Sequence, residues 1–377
     1  MVLVAFMLML LASYFALFLF IHKFISFGHR QVEVRTVNET VAVAIAMRNE
    51  EDRIIKCLNS LNRSFGFEHK LHVYLVDDHS TDKSVAQVEK HRASFDRLNI
   101  TLIRAKDIGK KKALLELLPL VKESWCYLTD ADCEVQSQTI AMLVQKSKSE
   151  MKPIVYGPVH YNVQSFIGGL MAYENLNTQL VGEALLNFGR PAMVNGANTL
   201  MSASVIPLFM ERQNLEYASG DDVFFSQTLG REGYAISYDK ESMVTTDPPE
   251  SLGALFSQRI RWASKYSGYS NGFYRFFPAF VFVQNCSFLL LLIYWALIGF
   301  EFGAVGILLT CKWLIEWSFH SIWFRKYRFQ ASLPQSLLLT ILQPIHITCV
   351  GLLSLTKFQV QWKGREVINQ SILIKEM

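Results

Sequence analysis

The stretch W-C-Y-L-T-D-A-D-C, residues 125–133, ends an apolar run at two aspartates, Asp130 and Asp132, with only Ala131 between them. Carboxylates in that spacing at a strand end can reach the same side and share a divalent cation. Oxygen donors suit Mg2+ or Mn2+, ions that commonly bridge protein carboxylates to substrate phosphates. A lone Asp-X-Asp is equally an ordinary turn whose acids accept backbone amides. Its company decides between the two.

That company is acidic at other strand ends too. M-R-N-E-E-D places Glu50, and V-D-D-H-S-T-D places Asp77 and Asp78, directly after apolar runs, where a nucleoside's hydroxyls or base edge would find acceptors. Read blandly, Glu50, Glu51 and Asp52 only favour a helix N-terminus. D-I-G-K-K-K adds a glycine turn and Lys110, a cation for a diphosphate, whereas Lys111 and Lys112 read as a solvated helix face. A-S-G-D-D-V carries Asp221 and Asp222 ahead of a helix, and S-Q-R-I-R-W carries Gln258, Arg261 and Trp262. A carboxylate there can act as general base on an acceptor hydroxyl, Arg261 can hold a departing phosphate, and Trp262 offers an aromatic face to a sugar ring. Alone, the two segments are an N-capped turn and an interfacial anchor.

The elements that must position these groups begin at residue 41, where short apolar runs alternate with helical stretches. Residues 41–46, 71–76 and 126–128 read as buried strands, and Ile54, Ile55, Leu58 and Leu61 recur at helical spacing between the first two. N-I-T-L-I-R, followed by a polar loop and a helix, repeats the theme; Ser80, Thr81 and Asp82 supply caps for the helix after the second strand. Such alternation predicts an α/β fold with a mostly parallel sheet, whose ligand crevice lies beyond the carboxyl ends of the strands. Glu50, Asp77, Asp78, Lys110, Asp130 and Asp132 would all gather along that edge. Between residues 151 and 250 the pattern loosens to a strand at 153–159 and helices at 166–186 and 222–232, and antiparallel strands are expected to join the sheet.

Hydrophobic residues make up 51% of the chain against 19% charged, and they concentrate at its two ends. Residues 2–21 carry no charge and are long enough to cross a bilayer. Lys23, His29 and Arg30 follow them, which places the middle domain in the cytoplasm. We read an uncleaved anchor, with a cleaved signal as the alternative. Residues 280–300 and 303–324 are further span candidates, the second interrupted by Lys312 and Glu316 and closed by Arg325, Lys326 and Arg328. Residues 333–355 contain Pro334 and Pro344 and read as a re-entrant hairpin that returns the tail to the cytoplasm. The expected organisation is an anchor at 1–25, a catalytic domain at 38–265, an interfacial segment at 266–278, membrane helices at 279–356 and a tail at 357–377. Six cysteines without a CxxC pair indicate neither a zinc site nor a disulfide framework. A net charge of +4 with no basic helix makes no case for nucleic acid.

Taken in order, N-E (Asn49, Glu50), V-D-D-x-S-x-D (76–82), G-K-x-x-A-L (109–114), D-A-D (130–132), G-A-N-T-L-M-S (196–202), the acidic pair and Q-x-x-R-W resemble glycosyltransferase family 2. These are inverting nucleotide-sugar transferases with the GT-A fold, and the likeness is to the membrane-bound branch. The resemblance implies that Glu50 and Asp78 contact base and ribose with Asp77 beside them, and that Lys110 is the donor-side lysine. It also implies that Asp130 faces the nucleotide-sugar, that Asp132 coordinates the metal, and that Asp222 is the catalytic base, with Asp221 where the family often has Glu. Gly196 and Asn198 fall in the acceptor-side loop. Gln258, Arg261 and Trp262 match the motif common in processive synthases and lipid glycosyltransferases, implying a donor contact, a catalytic cation and an acceptor contact respectively. The tail V-Q-W-K-G-R-E-V is similar to a segment that follows the membrane helices in ceramide-glucosyltransferase-like members. Only three hydrophobic segments follow the catalytic domain, fewer than large processive synthases use. The implied reaction is therefore transfer of one sugar from a UDP- or GDP-sugar, with Mg2+ or Mn2+, to a lipid or lipid-linked acceptor at the cytoplasmic membrane face. A processive polysaccharide synthase is the alternative, and a non-catalytic membrane scaffold or lipid transporter is the third.

Overall fold

The computed structural model describes residues 2–25, 34–213, 215, 217, 220–269, 272–299, 303–327, 329, 332–356, 359–363 and 365–368. His29, Arg30, Arg328 and Lys357, and the side chains of Asp221, Lys326 and Trp362, lie outside the described residues. The chain divides into two compact units, one of residues 27–162, 188–248 and 361–377, the other of 1–26, 163–187 and 249–360. The stretch 38–265 expected as one domain is thus shared between them.

The first unit is α/β. Its strands are β1 (Val41–Met47), β2 (Leu71–Asp77), β3 (Leu98–Arg104), β4 (Trp125–Leu128), β5 (Cys133–Val135), β6 (Ile154–Tyr156), β7 (Val159–Tyr161), β8 (Thr199–Ser202), β9 (Ile236–Tyr238) and β10 (Val244–Thr246). Among the described residues, seven of them form the main sheet in the order β3-β2-β1-β4-β8-β6-β9. β1 to β4 are mutually parallel, β8 runs antiparallel to β4 and β6, and β9 is parallel to β6. The expected antiparallel addition is therefore present. β1, V-A-V-A-I-A-M, is buried on both faces, as a central parallel strand covered by helices must be. The helix Ile54–Asn62 turns Ile54, Leu58 and Leu61 into one core with Val43, Ile45, Val73, Leu75 and Tyr127. Because β2 and β3 lie on one side of β1 and β4 on the other, strand order reverses at β1. Sheets of this kind open a crevice at that switch point, beyond the carboxyl ends of the adjoining strands.

β5, β10 and β7 make a second, three-stranded sheet. β5 follows Asp132 directly, and the Thr246 hydroxyl at the end of β10 donates to the Asp132 carbonyl at 3.1 Å, so this small sheet fixes the turn that carries the aspartates. The strand expected at 153–159 is two strands, broken at Gly157 and Pro158. A Cβ on Gly157 would stand 2.1 Å from the Ser242 carbonyl oxygen, so only glycine lets the backbones pass there.

The second unit is helical: Val2–Phe24, Phe166–Asn187, Leu252–Ala263, Gly272–Leu297, Gly303–Lys326 and Leu333–Ser354. Val2–Phe24, Gly272–Leu297 and Leu333–Ser354 are long and apolar enough to cross a membrane. Gly303–Lys326 pairs its two buried charges, Lys312 and Glu316, inside the unit. The Lys312 ammonium donates to Glu316 Oε1 at 2.5 Å, Thr340 Oγ1 donates to Glu316 Oε2 at 2.6 Å, and the Tyr14 hydroxyl also bonds the carboxylate. Buried charge in an apolar bundle persists only when partnered in this way. The re-entrant hairpin expected at 333–355 is instead one continuous helix. Pro334 sits in its first turn, where no amide hydrogen is needed, behind a capping box of Ser332 and Gln335, and the apolar run absorbs Pro344 without breaking.

Candidate active site

The loops after β1 and β2 are stitched to each other. Asn49, at φ 51°, accepts the Thr81 amide at 2.8 Å, and its own amide donates to Ser80 Oγ at 3.1 Å. The Glu50 amide donates to Ser84 Oγ at 2.7 Å, the Glu51 amide to Asp82 Oδ2 at 3.0 Å, and the Lys83 amide to Glu51 Oε2 at 2.9 Å. Asp82 also accepts the Ser84 amide at 2.9 Å, but the helix Ser84–His91 has Lys83 at its N-cap without a side-chain cap, so the caps expected of Ser80, Thr81 and Asp82 reduce to this one bond. Asp77 Oδ1 accepts the Ser80 amide at 3.1 Å, and Asp78 Oδ1 accepts the Gly109 amide at 2.9 Å. Gly109, at φ 116°, leads into the helix Lys110–Leu117 in a conformation that glycine favours. The structure thus brings Glu50, Asp77 and Asp78 together at the sheet edge, as expected, but encloses them: Glu50 is 4% exposed and Asp78 1%. In this conformation they act as walls rather than as open acceptors.

The pair after β4 is different. Lys110 Nζ donates to Asp130 Oδ1 at 2.6 Å, and Arg53 Nη1 lies 3.9 Å from Asp132 Oδ2, with all four side chains partly exposed. Burial and then the Asp130 charge raise the Asp132 carboxyl above the usual carboxylate range, with Arg53 and Lys110 pulling the other way. Two like charges held together at an accessible edge are an arrangement that a cation relieves, and their all-oxygen donor set suits a hard divalent ion. Among the described residues no group of three or more His, Cys, Asp or Glu converges. An ion at Asp130 and Asp132 would have coordination positions left for a substrate's phosphates and for water. The Cys57 and Cys133 thiols are free, and burial and then the Asp132 charge push both up.

Lys111 is not on a solvated face. It is 5% exposed, with its ammonium 5.3 Å from the centre of the Phe224 ring. This contact seats the helix Asp221–Glu232 against the start of the helix Lys110–Leu117. Asp222 stands in the first turn of the former, part-exposed, where its Oδ1 accepts the Val223 amide at 2.8 Å. Lys110 and Asp222 therefore occupy the leading turns of two helices in contact. Asn198 corrects the acceptor reading. It is 0% exposed, its amide nitrogen donates to the Pro158 and Ser242 carbonyls at 2.9 and 2.8 Å, and its oxygen accepts the Tyr127 hydroxyl at 3.0 Å. Such an amide has no face for an acceptor and instead ties β4 to the loops around β7. Gly196, just before it, is part-exposed.

Gln258, Arg261 and Trp262 lie on the helix Leu252–Ala263 of the helical unit. The residue that organises them is Arg259, which the sequence reading passed over. It is 5% exposed, donates to Glu174 Oε2 at 3.0 Å and to Gln258 Oε1 at 2.6 Å, and stacks 4.2 Å from the centre of the Trp262 ring. The R-I-R spacing was the available signal, since two arginines two positions apart on a helix cannot share a face. Arg261 is part-exposed.

A mostly parallel sheet with a switch point, and an accessible Asp-X-Asp with Lys110 beside it at the sheet edge, make up the site that this fold positions. A family model described as glycosyltransferase-like family 2 matches residues 38–265, more than half of the chain. The chain belongs to that family. It is 23% identical over 247 residues to an N-acetylglucosaminyltransferase of Neorhizobium galegae, covering 59% of this chain and 54% of that one. It is 24% identical over 234 residues to a poly-beta-1,6-N-acetyl-D-glucosamine synthase of Staphylococcus aureus, covering 60% and 54%. The chain spans about half the length of these curated relatives. Among solved structures it resembles the mannosyltransferase PcManGT from Pyrobaculum calidifontis in complex with GDP-Man and Mn2+, with a TM-score of 0.53 and 16% identity over 94% of this chain and 99% of that one. The fold is accordingly GT-A, flanked by apolar helices.

Proposed function

We propose that this chain is an inverting glycosyltransferase that moves a sugar from a UDP- or GDP-sugar to a hydroxyl of a lipid or lipid-linked acceptor at the cytoplasmic face of a membrane. The observation that carries the reading is the Lys110–Asp130 ion pair beside Asp132 at the β1/β4 switch point. Asp132, with Asp130, would hold Mg2+ or Mn2+, which when bound would neutralise the donor diphosphate and stabilise its departure. Lys110 pairs with the same diphosphate, and Glu50, Asp77 and Asp78 shape the nucleoside end. Asp222 takes the proton from the acceptor hydroxyl as that oxygen attacks the anomeric carbon from the face opposite the leaving group, which inverts the configuration. Arg261 and Gln258 are assigned to the departing nucleotide, and Trp262 and the Gly196 loop to the acceptor. The apolar helices support a membrane setting, and Lys23 after the first of them supports the cytoplasmic side.

A second reading, a processive synthase, is favoured by the names of the Staphylococcus aureus relatives. The two share all donor chemistry and differ in product, so product length from detergent-purified enzyme separates them. The mechanism itself is tested with a panel of nucleotide sugars and Mn2+ or Mg2+ on wild type and Asp222→Asn. Transfer should fall by about 10²- to 10⁴-fold with donor affinity retained. Unchanged turnover in Asp222→Asn would refute the assignment.

A further inference from the structure

The C-terminal segment folds into a hairpin of β11 (Gln359–Trp362) and β12 (Arg365–Ile368), with Lys363 in the turn at φ 48°. Its two cations meet two of the three enclosed acids of the candidate site. Arg365, 2% exposed, donates from Nη1 to Asp78 Oδ2 at 2.8 Å and from Nη2 to the Asp78 carbonyl at 3.1 Å. Lys363 pairs with Glu50, and its carbonyl accepts from Arg48 Nε at 3.2 Å. Arg48 in turn donates to the Asp78 carbonyl at 3.0 Å, so acids at the ends of β1 and β2 are closed over by residues some 287 positions further along the chain.

We propose that this hairpin is the nucleoside-side wall of the donor site, with Arg365 a positioning residue that acts through Asp78. The proposal rests on the donor reading given above. Arg365 holds one oxygen of Asp78 while the other fixes the Gly109 amide at the head of the Lys110 helix, and Lys110 reaches Asp130. The Gly109 amide keeps its own bond to Asp78 Oδ1, so the tail bears on the nucleoside end and leaves the Lys110–Asp130 pair of the diphosphate end in place. A permanent wall explains the contacts better than a removable plug does, because opening a fully desolvated, two-point Arg–carboxylate pair strands both charges. The wall also keeps unused hydrogen-bonding capacity. Arg365 Nε and Glu50 Oε2 are buried without a hydrogen-bond partner, the latter with Arg53 Nε 3.9 Å away, so the wall holds its polar groups by charge as well as by hydrogen bonds. On the donor reading, the hairpin backs the base end of a nucleoside diphosphate through Asp78 and Glu50, while its phosphate end meets Lys110 and the Asp130–Asp132 pair.

The test uses the full chain in detergent with Mn2+ and measures binding of UDP, GDP and inorganic pyrophosphate to wild type, Arg365→Ala, Arg365→Lys and Lys363→Ala. Arg365→Ala should weaken the preferred nucleoside diphosphate by about tenfold or more. Pyrophosphate affinity should be unchanged, Arg365→Lys should recover part of the loss, and Lys363→Ala should show a smaller loss of the same kind. Should Arg365→Ala fail to fold, Lys363→Ala carries the same comparison. Parallel loss of pyrophosphate binding overturns the proposal in favour of a purely structural tail. Unchanged or tighter nucleotide binding in the folded variants also overturns it, the latter by showing that the hairpin competes with the donor. If wild type binds neither UDP nor GDP, the donor reading itself fails and the wall falls with it.

Discussion

Acids follow three neighbouring strands of one sheet, yet those after β1 and β2 and those after β4 have opposite fates. Glu50, Asp77 and Asp78 are enclosed, each with its oxygens or its adjoining amides taken up by loop or tail. Asp130 and Asp132 stay partly exposed, and Asp132 has a carboxyl raised by burial and by its neighbour. The first group spends its charge on holding loops together. The second keeps its charge in conflict, and a site in that state gains most from an arriving cation. Acids at neighbouring strand ends thus separate into scaffold and chemistry according to whether they and their partners are buried or left accessible.

The largest effect expected from this contrast is on stability. Asp78→Ala removes the partner of Arg365 from a pair in which both members are buried, and should cost about 3–5 kcal/mol. Asp130→Asn removes only a part-exposed partner of Lys110 and should cost no more than about 1 kcal/mol. Urea denaturation of the two variants measures the difference, and equal losses would dissolve the distinction. Lys111→Met tests a smaller component, the buried ammonium over Phe224. It should cost about 1–2 kcal/mol and weaken the seat of the Asp222 helix, visible as reduced transfer with nucleotide affinity unchanged. The subtlest effect is pH dependence. The carboxyl of Asp132 is raised in the folded state, so in the absence of metal its ionisation costs stability once pH rises above the ordinary carboxylate pKa, and the penalty is complete above the folded value. Metal-free Asp132→Asn should therefore be at least as stable as wild type near neutrality. Mn2+ affinity of wild type should fall as pH drops through the raised value, because the proton and the ion compete for one carboxylate. A pH-independent Mn2+ affinity would contradict this.

The division was only half legible in the sequence. Runs such as V-A-V-A-I-A and L-H-V-Y-L-V end at their acids, so the sheet edge and its gathering of charge follow from period and punctuation alone. What remained hidden was long-range partnership. Nothing local to V-D-D-H says that Arg365 will reach Asp78, nothing in G-K-K-K says that Phe224 will cover Lys111, and nothing near R-I-R-W names Glu174 as the partner of Arg259. Asn198 was misread for the same reason, since its three partners come from β4, the loop before β7 and the loop before β10. The helix Leu333–Ser354 shows a different failure. Two prolines argued for a break, but one falls in the first turn and the other in an apolar helix that tolerates it.

The most direct test compares Asp132→Asn with wild type for Mn2+-dependent turnover of a nucleotide sugar, alongside thermal denaturation of both. The account predicts that turnover drops by at least about 10²-fold while the melting temperature is held or raised. Turnover that survives Asp132→Asn would show that the accessible pair after β4 is not where the donor's charge is met.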